Sequence, residues 1–225
     1  MKLPGRARRP PYKLLSLLLQ YPSVELLEQR DALGEAIADL PRSPEREELL
    51  RFFSWFGSAG GVELQQEYVA TFDLEKRSGL YLTFFTHGDT RQRGLALLRL
   101  KRLYAAAGLR LKGPELPDYL PLMLEFAALA PGDAGRGLLG EHRSSLELLR
   151  LHLREAGSRY QHLAEAVCAG LPRLSGGEIE LVRRLTRDGP PSEQVGLQPY
   201  PPADIGSGLG SGVVPSAAGS TEARR

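Results

Sequence analysis

The segment Leu120-Pro-Leu-Met-Leu-Glu-Phe-Ala-Ala-Leu-Ala130 is apolar on every side except at Glu125. It is far shorter than the ~20 apolar residues that cross a bilayer. A helix hydrophobic all round must therefore be enclosed by other helices, and the rest of the chain supplies them. Leu14, Leu15, Leu18 and Leu19 repeat at helical spacing, which predicts an amphipathic helix over 11–20. Ser23 opens a second helix, 24–40. Ser43-Pro44-Glu45 opens a third, with a capping hydroxyl, Pro at the first position and acids in the first turn. Its expected apolar face is Leu49, Leu50, Phe53 and Phe56. Leu64, Tyr68 and Phe72 line a fourth. Asp89-Thr-Arg-Gln92 reads as a capping box for a helix carrying Leu95, Leu98, Leu103 and Tyr104 and stopping near Gly108. Asp118 reads as the cap of the apolar helix, with Pro121 tolerated in its first turn. Further helices are expected at 136–156, 158–169 and 175–187. Only the TFF of 83–85 passes briefly for a strand. The fold class is all-α: a single-domain antiparallel helical bundle over residues 8–188, followed by a Pro/Gly/Ser-rich tail, 189–225, expected to be disordered.

Composition removes several function classes. The net charge of +2 gives no basic excess for nucleic acid. The single Cys168 cannot close an intramolecular disulfide, which fits a reducing compartment. Arg8-Arg9 ahead of Leu14–Leu19 invites an export-signal reading. The apolar run is short, broken by Ser16, and ends at Tyr21-Pro22 with no small-residue cleavage site. A cytoplasmic chain with no integral membrane segment is expected.

The candidate chemistry is sparse. His142, His152 and His162 lie ten residues apart, a step that turns a helix by ~280°, so they do not share a face. With no HExxH and no Cys pair, no metal site is expected. Cys168 sits among Ala and Val with no visible base, which is a buried thiol rather than a nucleophile. The densest polar cluster is Tyr81-Leu-Thr-Phe-Phe-Thr-His-Gly-Asp-Thr-Arg-Gln-Arg-Gly94. One reading makes it a hydrolase site, with His87 as base and Asp89 orienting it. The other makes it a packed corner: Asp89 caps a helix, Gly88 turns, and the aromatics fill a core. The structural reading accounts for more of the residues, and catalytic residues are expected to be none. Arg91 and Arg93 in a first turn oppose the helix dipole, so acids nearby, among them Asp73, Glu75 or Glu125, are expected to hold them. Glu125, on so apolar a helix, should be paired or should face a groove.

Three segments, EYVATFDLEKRSGLYL (67–82), THGDTRQRG (86–94) and GLRLKGPELPDYLPLMLEFAALAP (108–131), together with the opening LLSLLLQYPS, resemble the NarJ-type nitrate reductase assembly chaperones of the wider TorD-like molybdoenzyme chaperone family. The resemblance spans about residues 11–170. It implies an all-helical chaperone that is no subunit of the finished enzyme. Such a protein binds the N-terminal segment of the apo catalytic subunit of nitrate reductase. It holds that subunit until the molybdenum cofactor (bis-molybdopterin guanine dinucleotide) is inserted, and it keeps no cofactor stably itself. The family's motif positions fall on Tyr68, Phe72, Asp73, Gly88, Asp89, Arg93, Pro117, Asp118, Leu124, Glu125 and Phe126, and the motif does not separate peptide contacts from scaffold. A helix-in-groove mode adds Leu120 and Met123 to the apolar groove walls, with Asp73, Asp118 and Glu125 toward the peptide and Arg93 bracing the acids. A helical adaptor for another molybdoenzyme is the neighbouring alternative, and monomer and dimer are both open.

Overall fold

The computed structural model describes residues 10–111 and 113–192. The expected disorder after 192, and residues 8–9 of the expected domain, lie outside them. Among the described residues there are twelve α-helices and no strand; one isolated bridge joins Tyr81 to Tyr119.

The buried apolar helix is α8, Leu120–Leu129, with Leu120, Met123, Leu124 and Phe126 enclosed. α1 (Tyr12–Leu18) lies against it, and the buried Ser16 hydroxyl donates to the Pro121 carbonyl at 2.7 Å. The expected second helix breaks at Gln29 into α2 (Val24–Glu28) and α3 (Arg30–Ala38). α4 (Pro44–Phe56) starts as its sequence predicts: Ser43 Oγ accepts from Arg46 N at 3.1 Å, and Pro44 stands at the first position. Its buried face is Leu49, Phe52 and Phe56, whereas Leu50 is exposed. The helix is rotated one residue from the expected face because Phe52 packs against the Tyr160 ring at a tilted angle, centroids 5.2 Å apart.

α5 (Gly61–Tyr68) runs into a π-turn, Val69–Asp73, in which Leu74 N reaches back to Val69 O. The extra residue swings Phe72 onto Tyr160, centroids 4.8 Å apart, while Tyr68 meets the same ring at 5.8 Å. TFF belongs to a helix, α6 (Leu82–His87). α7 (Arg91–Ala106) follows, with Leu100 and Tyr104 buried. Leu95 and Leu98, expected inside, are 61% and 45% exposed. The expected 136–156 helix divides at His142 into α9 (Ala134–Glu141) and α10 (Arg143–Glu155). α9 approaches α8 so closely that a Cβ on Gly135 would lie 2.2 Å from Ala127 Cα. α11 (Gln161–Ala169) packs on α4 and α10. α12 (Gly176–Asp188) opens with a complete capping box between Ser175 and Glu178 and lies on α10.

The rotated face of α4 is directly testable. Phe52→Ala is expected to cost ~3–5 kcal/mol, while Leu50→Ala stays under ~1 kcal/mol. Denaturant melts of the two variants against the parent chain read the difference.

Candidate functional site

The residues expected to form a site converge on the first turn of α6. Short helices need their free N–H groups satisfied, and α6 takes its cap from far along the chain. Asp118 has no exposed surface, and its Oδ2 accepts from Thr83 N at 3.2 Å and from Thr83 Oγ1 at 2.5 Å. The backbone on both sides is locked: Leu82 N donates to Asp118 O at 3.0 Å and Leu120 N to Leu80 O at 2.8 Å. Asp118 therefore caps α6, not α8, whose own N-cap, Tyr119, makes no side-chain capping bond. Asp118 Oδ1 is enclosed and unpaired among the described residues.

Arg93 closes the arrangement. Its Nη2 lies 3.7 Å from Asp118 Oδ2, its Nη1 3.6 Å from Asp89 Oδ1, and its Nε donates to Thr83 Oγ1 at 3.3 Å. Its guanidinium also lies over the Phe84 ring, 5.5 Å from the centroid. The acids that hold Arg93 are thus Asp89 and Asp118 rather than Asp73, Glu75 or Glu125. Asp89 is no helix cap: the N-cap of α7 is Thr90, whose hydroxyl donates back to His87 O at 2.8 Å instead of capping the helix, and the Asp89 side chain is 82% exposed. The Asp89 carboxylate is drawn to Arg93 one turn on and leaves the cap position empty.

Tyrosines ring this cluster. Tyr104 donates to Pro117 O at 2.6 Å, Tyr68 contacts the Tyr119 hydroxyl at 3.1 Å, and Tyr81 donates to Glu115 at 3.0 Å. Burial pushes the Tyr68 and Tyr104 hydroxyls well above their ordinary range. Burial and the Glu115 bond push Tyr81 up to about 12. All three stay protonated and serve as donors.

Gly88 has φ +53 and ψ −147, and a Cβ there would lie 1.7 Å from the Pro191 carbonyl oxygen. Both the left-handed backbone and the close crossing require glycine. Leu120, Met123, Leu124 and Phe126, expected as groove walls, are enclosed, as are Pro117 and, nearly so, Tyr68 and Phe72. Glu125 is paired, with Lys13 Nζ at 2.5 Å. Asp73, Asp89 and Glu125 are the expected acidic site residues that reach solvent.

The hydrolase pair does not assemble, since no hydrogen bond joins His87 and Asp89. His152 bonds Arg77 O and His162 bonds Glu48, and no metal-binding cluster occurs among the described residues. Burial pushes the Cys168 thiol up to about 12. It accepts a long contact from Arg143 at 3.5 Å, so it is inert at neutral pH. No helix among the described residues is long and apolar enough to cross a membrane.

One concave surface escaped the sequence reading. A groove of about 660 Å³ opens between α7 on one side and α9, the start of α10 and α12 on the other, with His87 of α6 at its edge. Its floor includes Leu100, Leu138, His142, Ser144 and Ser145. It arises because α7 leans on α6 and leaves Leu95 and Ala96 beside open space. Burial, then the nearby His87 and Arg99, hold His142 down at about 4. No periodicity in the sequence marks a gap between helices.

The sequence profile of the nitrate reductase delta subunit family matches residues 39–164, a span that contains the whole cluster around Asp118. The chain belongs to the nitrate reductase delta subunit family. It is 37% identical, over 72% of its length and 89% of the relative's, to a Bacillus subtilis protein named as a probable nitrate reductase molybdenum cofactor assembly chaperone, NarJ. It is 33% identical to Escherichia coli NarJ, named as the same kind of chaperone, over 65% of this chain and 63% of that one. The crystal structure of a putative redox enzyme maturation protein from Archaeoglobus fulgidus superposes with a TM-score of 0.55 and 25% identity, covering 75% of this chain and 95% of that one. These relatives are assembly and maturation proteins, not catalysts, which removes the hydrolase reading of His87 and Asp89.

Three outcomes follow for stability. Asp118→Ala strands Thr83 and Arg93 inside the protein and is expected to cost ~3 kcal/mol or more, with Asp118→Asn between it and the parent in a denaturant melt. Gly88→Ala is expected to lower Tm as well, since the Pro191 segment must lift. For His142, the folded chain refuses a proton that the unfolded chain accepts below its ordinary pKa of 6.5. The stability it supports is intact above that pH and is lost as pH falls toward about 4. His142→Gln should flatten the pH dependence of Tm across this window.

Proposed function

We propose that this protein is a cytoplasmic assembly chaperone for a molybdenum-containing nitrate reductase. It binds the N-terminal segment of the apo catalytic subunit and keeps that subunit open for insertion of the molybdenum cofactor and later membrane assembly. The observation that carries this reading is the family match across the bundle, together with relatives named for that task. A second support is what the polar motif does. Asp118, Thr83, Arg93 and Gly88 are spent on fixing α6, which leaves no free acid–base pair there and fits a protein that acts by binding.

The site residues divide by exposure. Tyr68, Phe72, Gly88, Pro117, Asp118, Leu120, Met123, Leu124 and Phe126 act as scaffold, and Asp73, Asp89 and Glu125 present charge to the basic or amide groups of the client segment. Apolar side chains of that segment supply the remaining affinity, as in helix-in-groove recognition.

Calorimetric titration with the first ~15 residues of the catalytic subunit tests this, that being the usual length of a helix-in-groove partner. One-to-one binding is expected. The double variant Asp73→Lys, Glu125→Lys should weaken it about tenfold with an unchanged Tm, as expected for rim charges. Absence of binding both to this peptide and to the whole apo subunit would end the proposal.

A further inference from the structure

The positive charge of this chain is gathered in one place. Residues 90–114 carry seven Lys and Arg and no Asp or Glu, while the rest of the sequence holds 22 basic residues against 27 acids. A chain of small net charge thus has one basic segment on an otherwise acidic body. Most of that segment is α7, which packs against α6 and turns Leu100 and Tyr104 inward.

The outward side of α7 has its own order. Leu95, Leu98, Arg99, Arg102, Ala105 and Ala106 recur at steps of three, one, three, three and one residues, which sets them on a single helical face. All six are exposed. Lys101 stands exposed at one border of the face, and Arg110 is exposed in the link after the helix. Arg93 lies on the opposite side, turned in to Asp118. Arg99 meets Glu141 at 2.8 Å, but both side chains are in solvent, and such a surface pair holds little.

Leucines set among arginines on the outside of a helix suit the surface of an anionic bilayer. Its headgroup layer attracts Lys and Arg over a whole plane. Arginine stems can lie along the acyl boundary while their guanidinium groups stay at the phosphates, which lets the leucines between them leave water. A nucleic acid would bring phosphates but no apolar layer for Leu95 and Leu98. The face is also convex, being the side of one helix, and so fits a plane rather than an inserted side chain. No helix among the described residues is long and apolar enough to cross a membrane, so the contact is peripheral.

We propose that the outer face of α7 binds the anionic surface of a lipid bilayer. Leu95 and Leu98 sit at the acyl boundary, and Arg99, Lys101 and Arg102 sit on headgroup phosphates, with Arg99 leaving Glu141 as it does so. Two leucines and a few cations make a weak, salt-sensitive attachment, so the protein comes and goes from the membrane surface. The inference rests on α7 and not on any client segment, and it stands or falls apart from the reading above.

Co-sedimentation of the full chain with vesicles tests it. Binding to phosphatidylglycerol vesicles is expected, about tenfold stronger than to phosphatidylcholine vesicles, and lost in ~1 M salt, where screening acts over ~3 Å. Lys101→Glu with Arg102→Glu, and separately Leu95→Ser with Leu98→Ser, should each weaken it about tenfold with an unchanged helical spectrum. Arg183→Glu with Arg184→Glu on α12 makes the same change of charge at another exposed place and should leave binding intact. An environment-sensitive dye on Leu98→Cys, the native Cys168 being buried, should shift its emission to the blue when vesicles are added. Equal weakening by the α12 pair would reduce the attraction to net charge and overturn the proposal. So would a dye that does not shift, a leucine pair that proves dispensable, or no binding to phosphatidylglycerol vesicles at all. Titration with the client peptide decides the chaperone reading in each of these cases.

Discussion

A single buried carboxylate organises this protein. Asp118 is fully enclosed, and its Oδ2 takes two hydrogen bonds from Thr83 and lies 3.7 Å from Arg93. A carboxylate is buried only when its charge is matched, so α6, the start of α7 and the strand-like link ahead of α8 must be in place together. The bridge at Tyr81 and Tyr119 and the Tyr104–Pro117 bond follow from the same closure. Two segments distant in sequence, 80–93 and 117–120, are thereby held as one unit, and the enclosed α8 is fixed against α1.

This arrangement explains why the densest polar motif in the chain performs no chemistry. Its charges neutralise each other inside the fold, its glycine admits the Pro191 backbone, and its aromatics pack. The binding surface then has to come from elsewhere. On the proposed reading the exposed acids Asp73, Asp89 and Glu125 meet the client from outside that cluster.

Much of the fold was legible in the sequence because it follows local rules. Ser23 and Ser43 cap helices as their positions predict, and α8 is enclosed as an all-apolar helix must be. The misread features depend on partners remote in sequence. Asp89 and Asp118 both looked like caps of the helices that follow them. Arg93 draws one outward from its cap, and α6, across the fold, takes the other. Leu50 and Leu95 sit in apolar patterns but face solvent, since the facing surface is filled by Phe52 in one case and left open in the other. The groove is the least legible feature, because it is a gap between helices and no residue pattern encodes a gap. The family resemblance pointed to Gly88, Asp89, Arg93 and Asp118, which the fold brings near one another. It did not say that Asp118 is enclosed and tied to Thr83.

The central claim is that the Asp118 cluster is rigid scaffold and that recognition happens outside it. Hydrogen–deuterium exchange of the full chain, alone and with the apo catalytic subunit, tests this most directly. The account predicts that amides of 80–83 and 118–120 are strongly protected in the free protein and do not change on binding, while amides near Asp73 and Glu125 gain protection. New protection at 80–83 and 118–120, with none near Asp73 and Glu125, would contradict it.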